Sequence, residues 1–473
     1  MKIFNSKSGK KEDFVPLNDG KVGFYLCGPT VYDVPHLGHG RSAVSFDIIR
    51  RYLLCKGYEV NFVSNYTDID DKMIKNAEEK GISVAELAEK IIPEYEKDYA
   101  ALGIMRPDVQ PRATEFIPEM VEIIRVLEEK GFTYVLDDGV YFDVSKYGDY
   151  GKFSGQNLED LKMGARVDVK SEKRNPQDFV LWKFKKEGEP FWASPWGDGR
   201  PGWHIECSAM SFKHLGEKFD IHGGGLDLKF PHHECEVAQS LCCFGSDSFA
   251  KYWMHNGFIQ IDNEKMSKSL GNFFTLKEIF EKYDPKVVRF MFLQTHYRNP
   301  INFSDSLLDQ AKAALGRLRD FVSRTFPGTS FDSPAGVASE ADTSGAIEFS
   351  IGEYKKRFEE FMDNDFDTSG ALGVIFELVK EVNSLRDKGE LGESSAEEVL
   401  KFLREADEIL AVIFEDDDSS GSELDDEIKE KIEEREEARK NRDFAKSDAI
   451  RDELLAKGIV LEDTPQGTVW KRK

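Results

Sequence analysis

A short apolar run, Val22-Gly23-Phe24-Tyr25-Leu26-Cys27, is cut by Gly28-Pro29, and from about Gly38 to Lys56 apolar residues recur at helical spacing (Val44, Ile48, Tyr52, Leu53). A second strand-like run, Glu59-Val60-Asn61-Phe62-Val63-Ser64, follows. Strand, glycine-containing turn, helix and strand make a βαβ unit, whose parallel strands need the helix as their crossover. An α/β domain able to hold a nucleotide at the strand-to-helix turn is therefore expected at the start of the chain.

The remaining sequence is too long for one core. At roughly 100–200 residues per domain, 473 residues predict three or four modules. A helix from Ile117 to Lys130 leads into alternating segments such as Val140-Tyr141-Phe142-Asp143-Val144 and glycine-rich turns, which read as an inserted domain. Strand-like pieces return at His204-Ile205-Glu206-Cys207 and Phe219-Asp220-Ile221-His222, followed by a Gly223-Gly224-Gly225 loop and a helix from about Pro231. Amphipathic helices over roughly 305–325, 346–363, 368–388 and 395–414 predict a helical bundle. The Pro/Gly/Ser/Asp-rich stretches Pro327 to Gly345 and Glu415 to Ser422 read as linkers, and a charged helix with a compact tail ends the chain.

Composition excludes some classes. No apolar run reaches the roughly 18 residues of a membrane span, and the N-terminus lacks an apolar signal core, so a cytoplasmic protein without a membrane partner is expected. Six cysteines, unevenly spaced in a long chain, suit metal binding or burial better than a disulfide framework. The net charge of −24 argues against a nucleic-acid partner when taken alone, although a basic surface can exist on an acidic protein.

Two polar segments carry chemistry. Pro35-His36-Leu37-Gly38-His39 sits where the first strand gives way to the helix. Backbone N–H groups and the dipole of a helix N-terminus favour phosphate, and imidazoles there can donate hydrogen bonds to phosphoryl oxygens. Gly38 lets a nucleotide approach the backbone. Two ordinary histidines at a helix start would look alike in isolation. Far downstream, Lys265-Met266-Ser267-Lys268-Ser269 lies between Asp262-Asn263-Glu264 and Gly271-Asn272. Two lysines three apart can clamp a triphosphate. A solvated basic loop would tolerate any residue order, so this order, paired with the histidine motif, points to one ATP site that activates a carboxylic acid as its adenylate.

A candidate metal set lies nearby. Cys27 ends the first strand, Cys207 follows Trp203-His204-Ile205-Glu206, and His232 and Glu236 are spaced to share a helix face. Two thiolates, an imidazole and a carboxylate suit Zn²⁺. Spacing alone also allows scattered core cysteines on a polar helix, and leaves Cys235, Cys242, Cys243 and His233 as rival ligands.

The paired segments resemble the "HIGH" and "KMSKS" signatures of class I aminoacyl-tRNA synthetases, with Leu37 where the first signature usually has isoleucine. Cys27-Gly28-Pro29-Thr30-Val31-Tyr32-Asp33, Asn65-Tyr66-Thr67-Asp68-Ile69-Asp70-Asp71-Lys72, Ser194-Pro195-Trp196-Gly197, Cys207-Ser208-Ala209-Met210 and Phe230-Pro231-His232-His233-Glu234 further resemble the cysteinyl-tRNA synthetase family, from about Val22 to Trp470. The resemblance implies a Rossmann-like α/β catalytic domain (1–115), an inserted domain (116–196), the second catalytic half with the zinc site (197–250), a stem-contact region with the KMSKS loop (251–312), a helical bundle (313–415) and a small anticodon-binding domain (423–473).

It implies that Cys27, Cys207, His232 and Glu236 hold one Zn²⁺ whose open position takes the thiol of L-cysteine. Zn²⁺ prefers a thiolate to a hydroxyl, which would separate cysteine from serine where pocket shape cannot. ATP with Mg²⁺ is expected on Pro29, Thr30, His36, Gly38, His39, Asp227, Lys265, Ser267 and Lys268, with His36, His39, Lys265 and Lys268 catalytic. Gly28, Thr67, Trp203, His222 and Asp227 are expected at bound cysteine, His222 and Asp227 toward its ammonium or the adenylate ribose, unless they serve only the local loop. Where the family often has asparagine the chain has Cys235. Arg439, Lys440 and Arg442 could meet tRNA(Cys) phosphates, and Trp470 packs the small domain or stacks on a base. A monomer is expected. A side activity forming cysteine persulfide with pyridoxal phosphate would draw on Lys72, Lys75 or the lysines of the 265–269 loop. The rival readings are a cysteine:amino-sugar ligase sharing the core, against which the tail argues, and a tRNA-binding paralogue without catalysis, against which the intact histidines and lysines argue.

Overall fold

The computed structural model describes all residues except 157–171, 262–263, 266–272, 327–348, 415–430, 433, 436–437, 440–442, 457–458, 465–466 and 473. The chain divides into two compact units, the first ending at Ile413 and the second beginning at Phe414.

The centre of the first unit is a parallel four-stranded sheet in the order Phe249–Asn256, Lys218–Gly225, Lys21–Leu26, Glu59–Ser64. Val22, Phe24 and Leu26 pair with Val60, Phe62 and Ser64, and Phe24 and Leu26 face Ile221 and Gly223 on the other side. The helix Leu37–Cys55 is the crossover that the opening βαβ pattern predicts. From the central strand Lys21–Leu26 the chain crosses to one neighbour, Glu59–Ser64, and the other neighbour arrives some 150 residues later. The strand order reverses at that point, and a crevice forms beyond the strand ends Leu26 and Gly225.

Two local expectations change. The segment His204-Ile205-Glu206-Cys207, expected as a strand, belongs to the helix Trp203–Leu215. Gly202 is extended at its N-cap, and Ile205, Ala209 and Met210 bury one face of it, so helical spacing overrides the local strand-like look. Gly223-Gly224-Gly225, expected as a loop, instead completes the strand Lys218–Gly225, paired with Met254, His255 and Asn256. The glycines are there for close approach: a Cβ at 223 would lie 2.5 Å from the Phe46 ring and one at 224 would lie 2.8 Å from His233.

Between the two halves of the parallel sheet, helices Asp71–Lys80, Val84–Ala101 and Ile117–Glu129 precede an antiparallel sheet of Thr133–Leu136, Gly139–Phe142, Phe179–Phe184 and Gly199–Pro201. The helices Asp305–Thr325, Gly352–Asp363, Thr368–Asp387 and Glu393–Leu410 form the bundle. Arg41 and Arg289 fasten it and the intervening helix Pro285–Leu293 to the crossover helix. Arg41 donates to the carbonyls of Phe292, Thr295 and His296. Arg289 donates to Asp47 and to the carbonyls of Leu410, Leu102 and Gly103.

In the second unit the helix Phe444–Ala456 packs Ile450 and Leu454 against Ile459 of an antiparallel hairpin, Ile459–Thr464 with Gly467–Arg472. Lys431–Glu453 and Lys446–Glu434 ion pairs, 2.9 and 2.8 Å, sit around it. Both expected linkers lie outside the described residues. No helix among the described residues is long and apolar enough to cross a membrane.

Candidate active site and metal centre

A cleft of about 1260 Å³ opens beyond the ends of the parallel strands. Cys27, Gly28, Pro29, Thr30, His36, Gly38, His39, Trp203 and Asp227 line it, so nine of the residues singled out in the sequence share one cavity. Tyr32, Lys72 and Tyr99 line it as well.

Gly28 cannot be replaced at the turn. A Cβ there would lie 1.6 Å from the Asn65 carbonyl oxygen. The fully buried Asn65 side chain accepts from the Gly28 N–H at 3.0 Å and the Tyr25 hydroxyl at 3.1 Å. A polar residue buried at a strand end was a signal that the sequence carried and that motif reading passed over.

His36 and His39 form a reciprocal cap on the crossover helix. His36 Nδ1 accepts from the His39 N–H at 3.2 Å, and His39 Nδ1 accepts from the His36 N–H at 3.3 Å. The rings stack with centroids 3.6 Å apart. Because both Nδ1 atoms accept, each neutral ring carries its proton on Nε2. Burial holds His36 down to about 4 against the opposing charge of Asp227, and burial, His36 and Lys72 hold His39 well below the usual histidine range. Two neutral N–H donors thus face the cleft.

The lysine motif is seen in part. Glu264–Lys265 is a short strand paired with Gln260 and Ile261, beside the cleft residues Phe258 and Ile259. Ser267 and Lys268 lie outside the described residues.

The candidate metal centre brings together four residues from three segments of the chain. Cys27 Sγ lies 3.6 Å from Cys207 Sγ and 3.5 Å from Glu236 Oε1, and Glu236 Oε1 lies 3.0 Å from His232 Nε2. Tetrahedral ligands at a Zn–S distance of ~2.3 Å place two sulfurs about 3.8 Å apart, so the thiols stand at a metal-ligand spacing and are not bonded to each other. Glu236 Oε2 is buried without a hydrogen-bond partner. Burial pushes Glu236 and Cys27 well above their ordinary ranges, whereas a hydrogen bond from Cys27, with help from His232, draws Cys207 down to about 7. A buried, under-partnered carboxylate beside two thiols suits a divalent cation, whose charge reverses the cost of burying them. His232 Nδ1 lies 2.9 Å from His204 Nδ1, an outer contact that fixes the imidazole.

The structure narrows the rivals. Cys235 faces the Tyr150 hydroxyl at 3.4 Å, and the backbone carbonyls of Cys242 and Cys243 accept from Lys130. None of the three joins either four-residue cluster found among the described residues. One cluster is Cys27, Cys207, His232 and Glu236; the other is Cys27, His222, His233 and Glu236. His222, on the strand Lys218–Gly225, is fully buried and stands 3.4 Å from Cys27 Sγ and 3.3 Å from Glu236 Oε2. Thr67 is also buried and donates to Glu206 Oε2 at 2.9 Å. Trp203 is 37% exposed and lies over His232 with ring centroids 4.2 Å apart.

In the second unit Arg439 is exposed on a helical segment, Lys440 and Arg442 lie outside the described residues, and Trp470 pairs with Leu461 along the hairpin.

The family described as tRNA synthetases class I (C) catalytic domain matches residues 13–313, the DALR domain matches 357–415, and the cysteinyl-tRNA ligase anticodon binding domain matches 421–470. Curated cysteine–tRNA ligases of Clostridioides difficile (strain 630) and Lachnoclostridium phytofermentans are each 49% identical over the full length of both chains. Among solved structures, Mycobacterium tuberculosis methionyl-tRNA synthetase in complex with methionyl-adenylate has a TM-score of 0.58 at 16% identity, covering 83% of this chain and 88% of that one. The LeuRS of Agrobacterium radiobacter K84, in a ternary complex with tRNA and LeuAMS, has a TM-score of 0.61 at 13% identity, covering 85% and 84%. Those two likenesses establish the fold, and the full-length identity establishes the kinship: this chain belongs to the cysteine–tRNA ligase family of class I aminoacyl-tRNA synthetases.

Proposed function

We propose that the chain activates L-cysteine with ATP and transfers it to the 3′ end of tRNA(Cys), recognising the substrate thiol at a zinc ion. The observation that carries the reading is the position of Cys27. It lines the nucleotide cleft and also belongs to the cluster of Cys207, His232 and Glu236. A Zn²⁺ bound there would favour the thiolate form of the substrate and reject the hydroxyl of serine. Trp203 closes the side-chain pocket over His232, and Gly28 lets the turn that carries Cys27 pack against Asn65.

The chemistry is positioning and charge stabilisation. A cysteine carboxylate oxygen attacks the α-phosphorus and pyrophosphate leaves. The Nε2–H groups of His36 and His39 donate to the phosphoryl oxygens as negative charge builds, Asp227 holds the ammonium or ribose, and Lys265 and Lys268 hold the β- and γ-phosphates with Mg²⁺. Pro29, Thr30, Gly38 and Ser267 shape the nucleotide site. A ribose hydroxyl of the tRNA terminus then attacks the adenylate carbonyl and AMP leaves. The C-terminal unit, Arg439 included, would hold the tRNA, and its match to an anticodon-binding family favours tRNA over an amino-sugar acceptor. A persulfide-forming side activity with pyridoxal phosphate would need a lysine in the cleft; Lys72 lines it, whereas Lys75 pairs with Glu79 at 3.8 Å on an exposed face.

The deciding experiment is ATP–pyrophosphate exchange with L-cysteine and with L-serine, alongside metal analysis. Cysteine-dependent exchange, at least about a hundredfold weaker with serine, and one zinc per chain are expected. Equal exchange with serine, or AMP release that depends on an amino-sugar and not on tRNA, overturns the reading.

A further inference from the structure

Tyr95 lies on the helix Val84–Ala101, outside every motif discussed above, and is fully buried. Its hydroxyl oxygen is 3.1 Å from His39 Nδ1, and the two rings have centroids 5.3 Å apart. Among the described residues that hydroxyl has no other hydrogen-bond partner. The direction of the bond follows from its neighbour. The His36 backbone N–H can only donate, and it points at the same Nδ1 from 3.3 Å. Nδ1 therefore accepts, and the Tyr95 hydroxyl donates to it, the two donors sharing the single lone pair of that nitrogen.

We infer that Tyr95 is a positioning residue that locks His39 as its Nε2–H tautomer, so that the ring offers the cleft a proton donor and not a lone pair. The consequence is chemical. A lone pair facing the phosphoryl oxygens would repel the charge that gathers in the transition state, whereas a preset N–H stabilises it without reorganising. The backbone N–H is a long donor at 3.3 Å, and the hydroxyl oxygen stands closer at 3.1 Å, so the hydroxyl adds to the bias the cap provides. Burial, with the neighbouring hydroxyls of Tyr99, Tyr32 and Tyr66 and the Asp98 carboxylate, keeps the Tyr95 hydroxyl protonated and able to donate.

This inference rests on the adenylate-forming reading of the cleft, and its test separates the two. Tyr95→Phe removes one oxygen from a packed ring and leaves its volume otherwise intact. In full-length protein with ¹⁵N-labelled histidine, the His39 signals are assigned by their loss in His39→Gln. They should report Nε2–H in the wild type and a raised Nδ1–H population in Tyr95→Phe. Cysteine-dependent pyrophosphate exchange should lose about tenfold in kcat, with KM for ATP changed by less than about twofold. Tyr66→Phe, in a ring 6.3 Å from Tyr95 whose hydroxyl interacts with Gln110, should change neither. An unaltered tautomer, an unaltered kcat, or an equal loss in Tyr66→Phe overturns the inference. Absence of exchange in the wild type would overturn the function instead, and the labelled histidine would still decide the role of Tyr95.

Discussion

Cys27 Sγ and Cys207 Sγ stand 3.6 Å apart although 180 residues separate them in the chain. Cys27 follows a strand of the parallel sheet and Cys207 lies on the helix Trp203–Leu215, beside Glu206. Neither segment contains a second ligand of the set, so the centre exists only when both halves of the catalytic sheet have closed on each other.

Removing one thiol should therefore empty the centre and spare the ATP motif. Cys27→Ser and Cys207→Ser are each expected to lose at least ~tenfold in zinc affinity and to lose cysteine activation in parallel, with ATP binding retained. Metal analysis, exchange kinetics and ATP titration on the same preparations check this. Full zinc occupancy with normal cysteine activation would sink the assignment.

Gly28→Ala tests the turn that carries the first ligand. Its Cβ would meet the Asn65 carbonyl at 1.6 Å, a contact with backbone that no rotamer relieves. A loss of about 2–4 kcal/mol is expected, together with loss of cysteine activation. Denaturant unfolding checks it, and a variant as stable and active as wild type would show that the turn can shift.

The Asp47–Arg289 pair should be worth far more than a surface bridge. Its atoms lie 2.6 Å apart, and both side chains are buried. Burial alone would raise Asp47, but Arg289 and Arg51, with the Met105 N–H, hold it below the usual carboxylate range. Asp47→Asn leaves the Arg289 guanidinium without its counter-charge and should cost about 3–5 kcal/mol. Thermal and urea unfolding should both register it; a change under about 1 kcal/mol would mean that water or the carbonyl partners of Arg289 suffice.

The two histidines set an acid limit. In the unfolded chain each titrates near ~6.5, whereas burial holds folded His36 near about 4 and folded His39 well below the usual histidine range. The unfolded state binds more protons in that interval, so stability is fully present above about 6.5 and falls as pH drops toward 4. The charged and titratable groups facing them are Asp227, Lys72 and Tyr95. The kcat/KM for ATP, at saturating cysteine, should accordingly show its acid limb below about pH 5. A limb near 6.5 that disappears in His36→Gln would contradict the neutral-donor assignment.

Much was legible without coordinates. The alternation and turn residues of 22–64 specified a βαβ unit, because parallel strands leave few other ways to bury both faces of an apolar run. Periodicity bounded two of the bundle helices closely, 305–325 and 368–388 against Asp305–Thr325 and Thr368–Asp387, whereas 346–363 and 395–414 overshoot Gly352–Asp363 at its start and Glu393–Leu410 at its end. Local reading failed where tertiary packing overrode it. Gly223-Gly224-Gly225 looks like a loop because glycine is frequent in turns, yet here it is strand backbone pressed against Phe46 and His233.

The sequence by itself determined the chemistry on offer: two histidines at a helix start, a paired-lysine loop, and a His-x₃-Glu step in a chain with six cysteines. Those follow from residue type and short spacing, which local geometry fixes. Only the tertiary structure decided which of the rival ligands share one point in space. It left Cys235, Cys242 and Cys243 out of both clusters, placed His222 beside Cys27 and Glu236, and gave Asn65, Tyr95 and His204 partners that short spacing does not announce. The reason is range. A side chain's neighbours along the chain are set within a few residues, whereas its partners across the sheet depend on which strands pair. That pairing is fixed by the burial of the whole core at once.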